Sequence, residues 1–197
     1  MGDILQLDAF GKCDPALPPR PIPEIDWLCF TVNSKPRGKA TPQSNVLCDK
    51  AGNVVRSKDT GRAVIIHRPT KDHDTDCKKL EALFYQHQPK SPFRGPIWLG
   101  IKAFFQLPGT VPEAWKSVAP AKGKYKWFEA AALAGEVRPL GKPDWSNIQK
   151  HLEDIGTGIF WFDDSQIVGP GPWGGKFYTA GAPRYEISIG YRVDMNS

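Results

Sequence analysis

Short apolar runs broken by polar, glycine- and proline-rich stretches recur along the chain from residue 25 onward. Ile25-Asp26-Trp27-Leu28-Cys29-Phe30-Thr31-Val32 is dense in aromatic and β-branched side chains and predicts a strand over 25–32. Val54-Val55 and Ala63-Val64-Ile65-Ile66 predict two short strands around a Gly/Asp turn. Between 74 and 88 the spacing changes: Leu80, Leu83 and Phe84 fall on one side and Lys78, Lys79 and Glu81 largely elsewhere, which predicts a helix. A strand follows over 96–105, weakened slightly by Gly100, and a short helix around Trp127 to Leu133. Ile148, Leu152 and Ile155 share one face of a helix predicted over 145–155, with Asp144 at its N-cap position after Pro143. Strands at 166–168 and 185–193 close the chain, separated by the glycine-rich segment 169–175. Strands, helix, strand, helix and strands in that order predict an α+β domain, a single mixed β-sheet with helices packed on one face.

Length and composition narrow this further. The 197 residues fit one domain, taken as 24–197 with a loop-rich lysine-bearing segment at 108–142, after a proline-rich leader over 1–23. With 19 glycines and 19 prolines, much of the chain is expected in turns and loops. No run approaches the ~18 apolar residues of a membrane helix. No secretory signal pattern opens the chain, so a cytoplasmic location without membrane contact is expected. Cys13, Cys29, Cys48 and Cys77 form no CxxC pair and have no His-x-x-x-His partner, which points to reduced thiols rather than a zinc site. The net charge of +5 and pI near 9.0 are compatible with a polyanionic partner but do not require one.

Candidate chemistry concentrates in Lys142-Pro143-Asp144-Trp145-Ser146-Asn147-Ile148-Gln149-Lys150, then Asp154, then Asp163-Asp164-Ser165-Gln166. Opposite the apolar face of the 145–155 helix, Asp144, Asn147, Lys150 or His151, and Asp154 follow at three- or four-residue steps. If Asp144 at the helix start met Asp164 at the strand start, the two could share Mg²⁺, or Mn²⁺, completed by water and substrate phosphate. Such an ion would lower the pKa of an attacking water, and Lys150 could offset the charge developing on the phosphoryl group. A polar helix stripe is equally a solvated face, and an Asp-Asp pair equally caps a turn. Whether these elements converge decides between the two.

The order KPD-x-x-N-x-x-K-x-x-x-D, then DD-S-Q-I, a later lysine and a final Pro-Arg-x-x-Ile-x-Ile strand resembles the RusA family of crossover-junction endodeoxyribonucleases, whose members often occur in phages and prophages. Lys142, Pro143, Asp144, Asn147, Lys150, Asp154, Asp163 to Ile167, Lys176, Pro183, Arg184, Ile187 and Ile189 carry it. Phe30-Thr31-Val32 with Pro36 and Lys39, and Arg68-Pro69-Thr70-Lys71, add weaker support. The resemblance implies a homodimeric, Mg²⁺-dependent nuclease that cuts symmetric strands of a four-way DNA junction. On that footing Asp144 and Asp164 are metal-binding carboxylates, Lys150 is the catalytic lysine, and Asp163 is a neighbouring acid counted with the catalytic and metal-binding set. Ser146, Asn147 and Asp154 support the site.

In one place the sequence departs from the family. An aspartate usually precedes the motif asparagine, and here Ser146 stands there. A hydroxyl supplies a lone pair without charge, so a weakened enzyme that holds branched DNA without cutting it is the alternative function. Phosphate contacts are expected from Lys35, Arg37 and Lys39 in the first loop, from Lys142 and Lys176, and from the lysines at 116–126. Trp115, Tyr125, Trp127 and Trp173 are candidates to stack on unpaired bases. No RNP-like aromatic motif supports an RNA-binding role.

Overall fold

The computed structural model describes residues 23–39, 43–68, 71–172 and 174–196. The leader to residue 22, the Pro69-Thr70 pair and Trp173 lie outside them.

The sheet is organised around β7 (Arg184–Arg192), which runs antiparallel to β1 (Ile25–Val32) on one side and to β4 (Ile97–Gln106) on the other. Along its far edge β4 pairs in parallel with two successive short strands, β5 (Ile167–Pro170) and then β6 (Gly175–Thr179). The chain between them passes over Gly100. A Cβ on Gly171 would lie 2.5 Å from the Gly100 nitrogen, so the strand switch needs glycine there. A separate two-stranded ribbon pairs β2 (Gln43–Val46) with β3 (Ile65–Arg68).

Period-two alternation sends Tyr185, Ile187 and Ile189 of β7 and Ile97, Leu99, Ile101 and Ala103 of β4 to one buried face. Two helices cover that face: α1 (Lys71–Tyr85) through Leu80 and Phe84, and α4 (Trp145–Gly156) through Ile148 and Leu152. Phe30 stacks on Phe160 at 5.1 Å, and both meet Phe84 edge-on, which joins strand, helix and the loop after α4 in one core. A smaller core of Phe128, Ala131, Ala132 and Val137 sits beneath α3 (Lys124–Leu133), which packs against β6; the four-residue α2 (Glu113–Lys116) lies before it.

The mixed sheet with helices on one face is the α+β arrangement the sequence predicts, and β1 matches its expected span. Four details differ. α1 begins at Lys71 and ends at Tyr85. Val54 and Ala63 form only isolated bridges, to Cys48 and Arg56, while the extended pair is β2 with β3. β6 begins where the expected glycine-rich spacer ends. His151 is buried, so Lys150 is the residue on the polar face of α4.

Candidate functional site: an acid–lysine chain beside a basic cleft

Asn147, Lys150 and Asp154 project from one side of α4, at successive three- and four-residue steps, with Ile148 and Leu152 anchoring the opposite side. Lys150 is the hub. Its ammonium hydrogen-bonds the Asp164 carboxylate, lies 3.4 Å from Asp154 and reaches Glu153 at 3.9 Å. The hydrogen bond to Asp164 is the main reason its pKa is raised above the ordinary lysine value. On its other oxygen, Asp154 takes Lys39 at 2.6 Å. A chain Lys39–Asp154–Lys150–Asp164 therefore links the first loop, α4 and the turn before β5.

That turn has a local explanation. Asp163 caps the 3₁₀ turn Asp164–Gln166: its carboxylate accepts from Ser165 N at 2.9 Å, and the Gln166 side-chain oxygen accepts from Asp163 N at 3.1 Å. The Ser165 bonds hold the Asp163 carboxyl below the usual carboxylate range. Gln166 also donates to the carbonyls of Phe93 and Gly95, at 3.0 and 2.9 Å, which ties the turn to the start of β4. Asp163 thus holds the turn together, and Asp164, half-exposed beside it, is the acid presented to Lys150.

The loop 33–39 is seated just as firmly. Tyr185, buried on β7, accepts a hydrogen bond from Arg37 N at 2.7 Å and donates one to Arg37 O at 3.2 Å. Lys39 N donates to Asn147 O at 3.0 Å, and the Arg37 guanidinium pairs with Asp76 of α1 at 2.5 Å. Gly38 permits this fit, because a Cβ there would come within 2.9 Å of Pro143 Cβ and 3.0 Å of Asn147 Cβ. Lys35, Arg37 and Lys39 then face Lys142, Asp144 and Asn147 across a cleft of about 520 Å³. Arg37 and Lys39 are ion-paired within the protein. Lys35 and Lys142 form no ion pair with the described residues.

Asp144 occupies the N-cap of α4, after the cis Lys142–Pro143 bond, but its side chain makes no capping bond. Its carboxylate is exposed and close enough to Lys176 to be felt there. The Lys176 ammonium donates to the carbonyls of Gly141 and Pro143, at 2.6 and 3.0 Å, so in this state it secures the turn ahead of Asp144. Burial lowers its pKa, against the pull of Asp144. Ser146 lies exposed in the first turn of α4.

The donors fit a hard cation by type, being carboxylate oxygens without thiolates. Among the described residues no group of three His, Cys, Asp or Glu side chains stands together as a cage. A cation here would rest on few carboxylates completed by water and phosphate, which is how Mg²⁺ is commonly held. Asp144 and Lys150 begin about 9 Å apart along the α4 axis at ~1.5 Å per residue, and Lys150 holds Asp164 on the far side of that interval.

Of the aromatic candidates, Trp115 and Trp127 pack against the smaller core, and the Trp115 indole donates to Arg138 O at 3.1 Å. Tyr125 is at the surface, its hydroxyl bonded to Pro108 O. Lys122, Lys124 and Lys126 are exposed, and Lys116 pairs with Glu113. Among the described residues, Cys29, Cys48 and Cys77 form no disulfide. No helix among the described residues is long and apolar enough to cross a membrane.

Sequence reasoning missed Tyr185, Asp76 and the anchoring role of Gln166. Only Gln166 had a local signal, the Asp-x-x-Gln spacing of a capping box.

The family model described as "Endodeoxyribonuclease RusA" matches residues 47–190. The chain is also 28% identical over 166 residues to the uncharacterized protein YqaN of Bacillus subtilis (strain 168), covering 84% of this chain and 96% of that one.

Proposed function

The chain belongs to the RusA family of endodeoxyribonucleases, and from that premise we propose that it cuts four-way (Holliday) DNA junctions by paired symmetric nicks, in a reaction supported by Mg²⁺ or Mn²⁺. The observation that carries this reading is the Lys150–Asp164 pair, set on α4 a short way from the basic cleft that contains Asp144.

Phosphates of the junction enter that cleft, where Lys35 and Lys142 meet them and Arg37 and Lys39 add positive potential from their fixed positions. Such contacts orient the duplex arms without reading sequence. Lys150 is protonated at neutral pH, as any lysine with an ordinary or raised pKa is, and Asp164 and Asp154 stabilise that charged form further. It is therefore available as a fixed cation for the charge that develops on the phosphoryl oxygens. Asp154 aims it, while Lys39 on the other oxygen of Asp154 couples that aim to the DNA-binding loop. Asp164, with Asp163 adjacent in its turn, and Asp144 at the start of α4 are the carboxylates from which a divalent ion would be held. When bound, such an ion supplies an activated water and Lewis-acid stabilisation of the phosphoryl group. Two symmetric nicks need two such sites, and a twofold homodimer is the commonest way to present them.

Incubating the purified protein with a synthetic four-way junction and Mg²⁺ or Mn²⁺ tests this. Paired nicks at symmetric positions support it. A shifted band with all strands intact contradicts cutting and leaves a branched-DNA binder. Sedimentation showing only monomer at micromolar concentration contradicts the dimer.

A further inference from the structure

Asp144 stands on a ridge between two clefts. The basic cleft lies on one side. On the other is a cleft of about 550 Å³, lined chiefly by Arg138, Leu140, Trp145, Gly174 and Gly175. Its chemistry is different. Leu140 is 62% exposed, a large apolar side chain left in solvent, and Trp145 contributes an indole only partly covered by the core. Gly174 and Gly175 add bare backbone: a Cβ on Gly174 would lie 3.4 Å from Cζ2 of that indole.

Two cations line the cleft and both are engaged within the protein: the Lys176 ammonium donates to the carbonyls of Gly141 and Pro143, and Arg138 is held in place. The Arg138 guanidinium lies 3.8 Å over the Phe177 ring, Nη1 donates to Lys176 O at 3.3 Å, and the Arg138 carbonyl accepts from the Trp115 indole. A planar, fixed guanidinium beside an indole and a leucine is poorly suited to a chain of phosphates. It suits a flat, polar-edged ring, which can stack on such groups and hydrogen-bond to the guanidinium.

We propose that this second cleft is a nucleobase subsite. It takes one unstacked base of the strand whose phosphate lies at Asp144, and so makes Arg138, Leu140 and Trp145 determinants of where the protein acts on a junction. The proposal rests on the nuclease reading for the course of the strand. The volume lies within the ~300–1,000 Å³ typical of small-ligand sites, and Asp144 lines both clefts. A strand crossing that ridge leaves its phosphates on the lysine side and an adjacent base on the apolar side. Branch points supply such bases, because stacking is interrupted where strands exchange.

The test is binding rather than cutting. Four-way junctions carrying a single abasic residue, moved position by position across the branch point, are titrated with the full-length protein in Ca²⁺. The wild type is expected to lose about tenfold in affinity when the abasic residue reaches one position in each symmetric strand, within the range of base–aromatic stacking. Gly174→Leu fills the cleft from a backbone conformation open to any residue. It is expected to bind the intact junction as weakly as the wild type binds that abasic one, and to ignore the substitution. Leu140→Ala, at an exposed position, narrows the discrimination without disturbing the fold and carries the test if Gly174→Leu fails to fold. Equal affinity of the wild type for every abasic junction overturns the subsite, as does a folded Gly174→Leu protein that still discriminates. A protein that senses the abasic position yet never nicks keeps the subsite and loses the nuclease reading; one that nicks but ignores the position does the reverse.

Discussion

The buried phenol of Tyr185 grips both backbone polar groups of Arg37, accepting from its N–H at 2.7 Å and donating to its carbonyl at 3.2 Å. One side chain of the central strand thereby fixes the height of the whole basic loop above α4. Replacing it with phenylalanine keeps the ring's packing and removes both bonds, a loss of about 1 kcal/mol each. Tyr185→Phe is expected to weaken junction binding about tenfold, by loosening Lys35 and Lys39, and to lower the thermal midpoint by roughly 4–8 °C, as a loss of about 2 kcal/mol does in a domain of this size. An unchanged affinity means the loop holds its place without the phenol.

The same residue gives a pH dependence. Burial raises the Tyr185 pKa from 10.0 to about 12. A folded-state value above the unfolded one contributes stability that is intact below pH ~10 and is lost as pH climbs toward ~12, because the unfolded chain releases the proton first. Denaturant midpoints of the wild type should fall across that window, and Tyr185→Phe should fall less steeply. Parallel curves contradict the assignment.

Lys35 and Lys142 are the cleft cations without an ion pair among the described residues, so they are the ones free to displace counterions from DNA. Each alanine substitution is expected to weaken junction binding at low salt and to reduce the slope of log K against log[salt] by about 1. A slope that does not move would assign the phosphate contacts to other lysines.

How much of this could be read beforehand depends on the range of the forces involved. α4 was legible because Ile148, Leu152 and Ile155 repeat at helical spacing, and β1 because aromatic and β-branched residues fill it. β6 was hidden: Gly175 opens it, and its pairing with β4 is a tertiary event that local propensity does not encode. The sequence suggests Asp144 and Asp164 around one cation with Lys150 nearby; that Lys150 pairs directly with Asp164 emerges only in the fold. The roles of Tyr185 and Asp76, some 148 and 39 residues from Arg37, exist only once strand and helix are assembled. The bonds of Lys176 to the Gly141 and Pro143 carbonyls likewise had no local signal, because they join β6 to a turn some 35 residues away.

Ser146 offers a direct substitution test. It is exposed in the first turn of α4, where a carboxylate is also favoured by the helix dipole. Ser146→Asp adds a carboxylate there and is expected to lower the divalent-ion concentration needed for half-maximal cutting by on the order of tenfold, since added ligand charge tightens such sites. If the requirement is unaltered, position 146 lies outside the ion's reach.

Cutting should also respond to the identity of the Lys150 charge. Its raised pKa keeps the ammonium charged until pH exceeds the ordinary lysine value of 10.5, so an inflection of the rate near neutrality belongs to another group. Lys150→Met should abolish nicking. Its effect on stability should be slight, because a pair this exposed is worth at most about 1 kcal/mol. Nicking that survives in Lys150→Met removes this lysine from the chemistry.

The measurement that bears most directly on the central claim compares wild type with Asp164→Asn on one labelled four-way junction, scoring nicks and complex formation in the same Mg²⁺ titration. Loss of every nick with junction affinity within about threefold, a difference under 1 kcal/mol, is the predicted result. Cleavage by Asp164→Asn at the wild-type rate contradicts it and takes Asp164, with the Lys150 pair built on it, out of the active site.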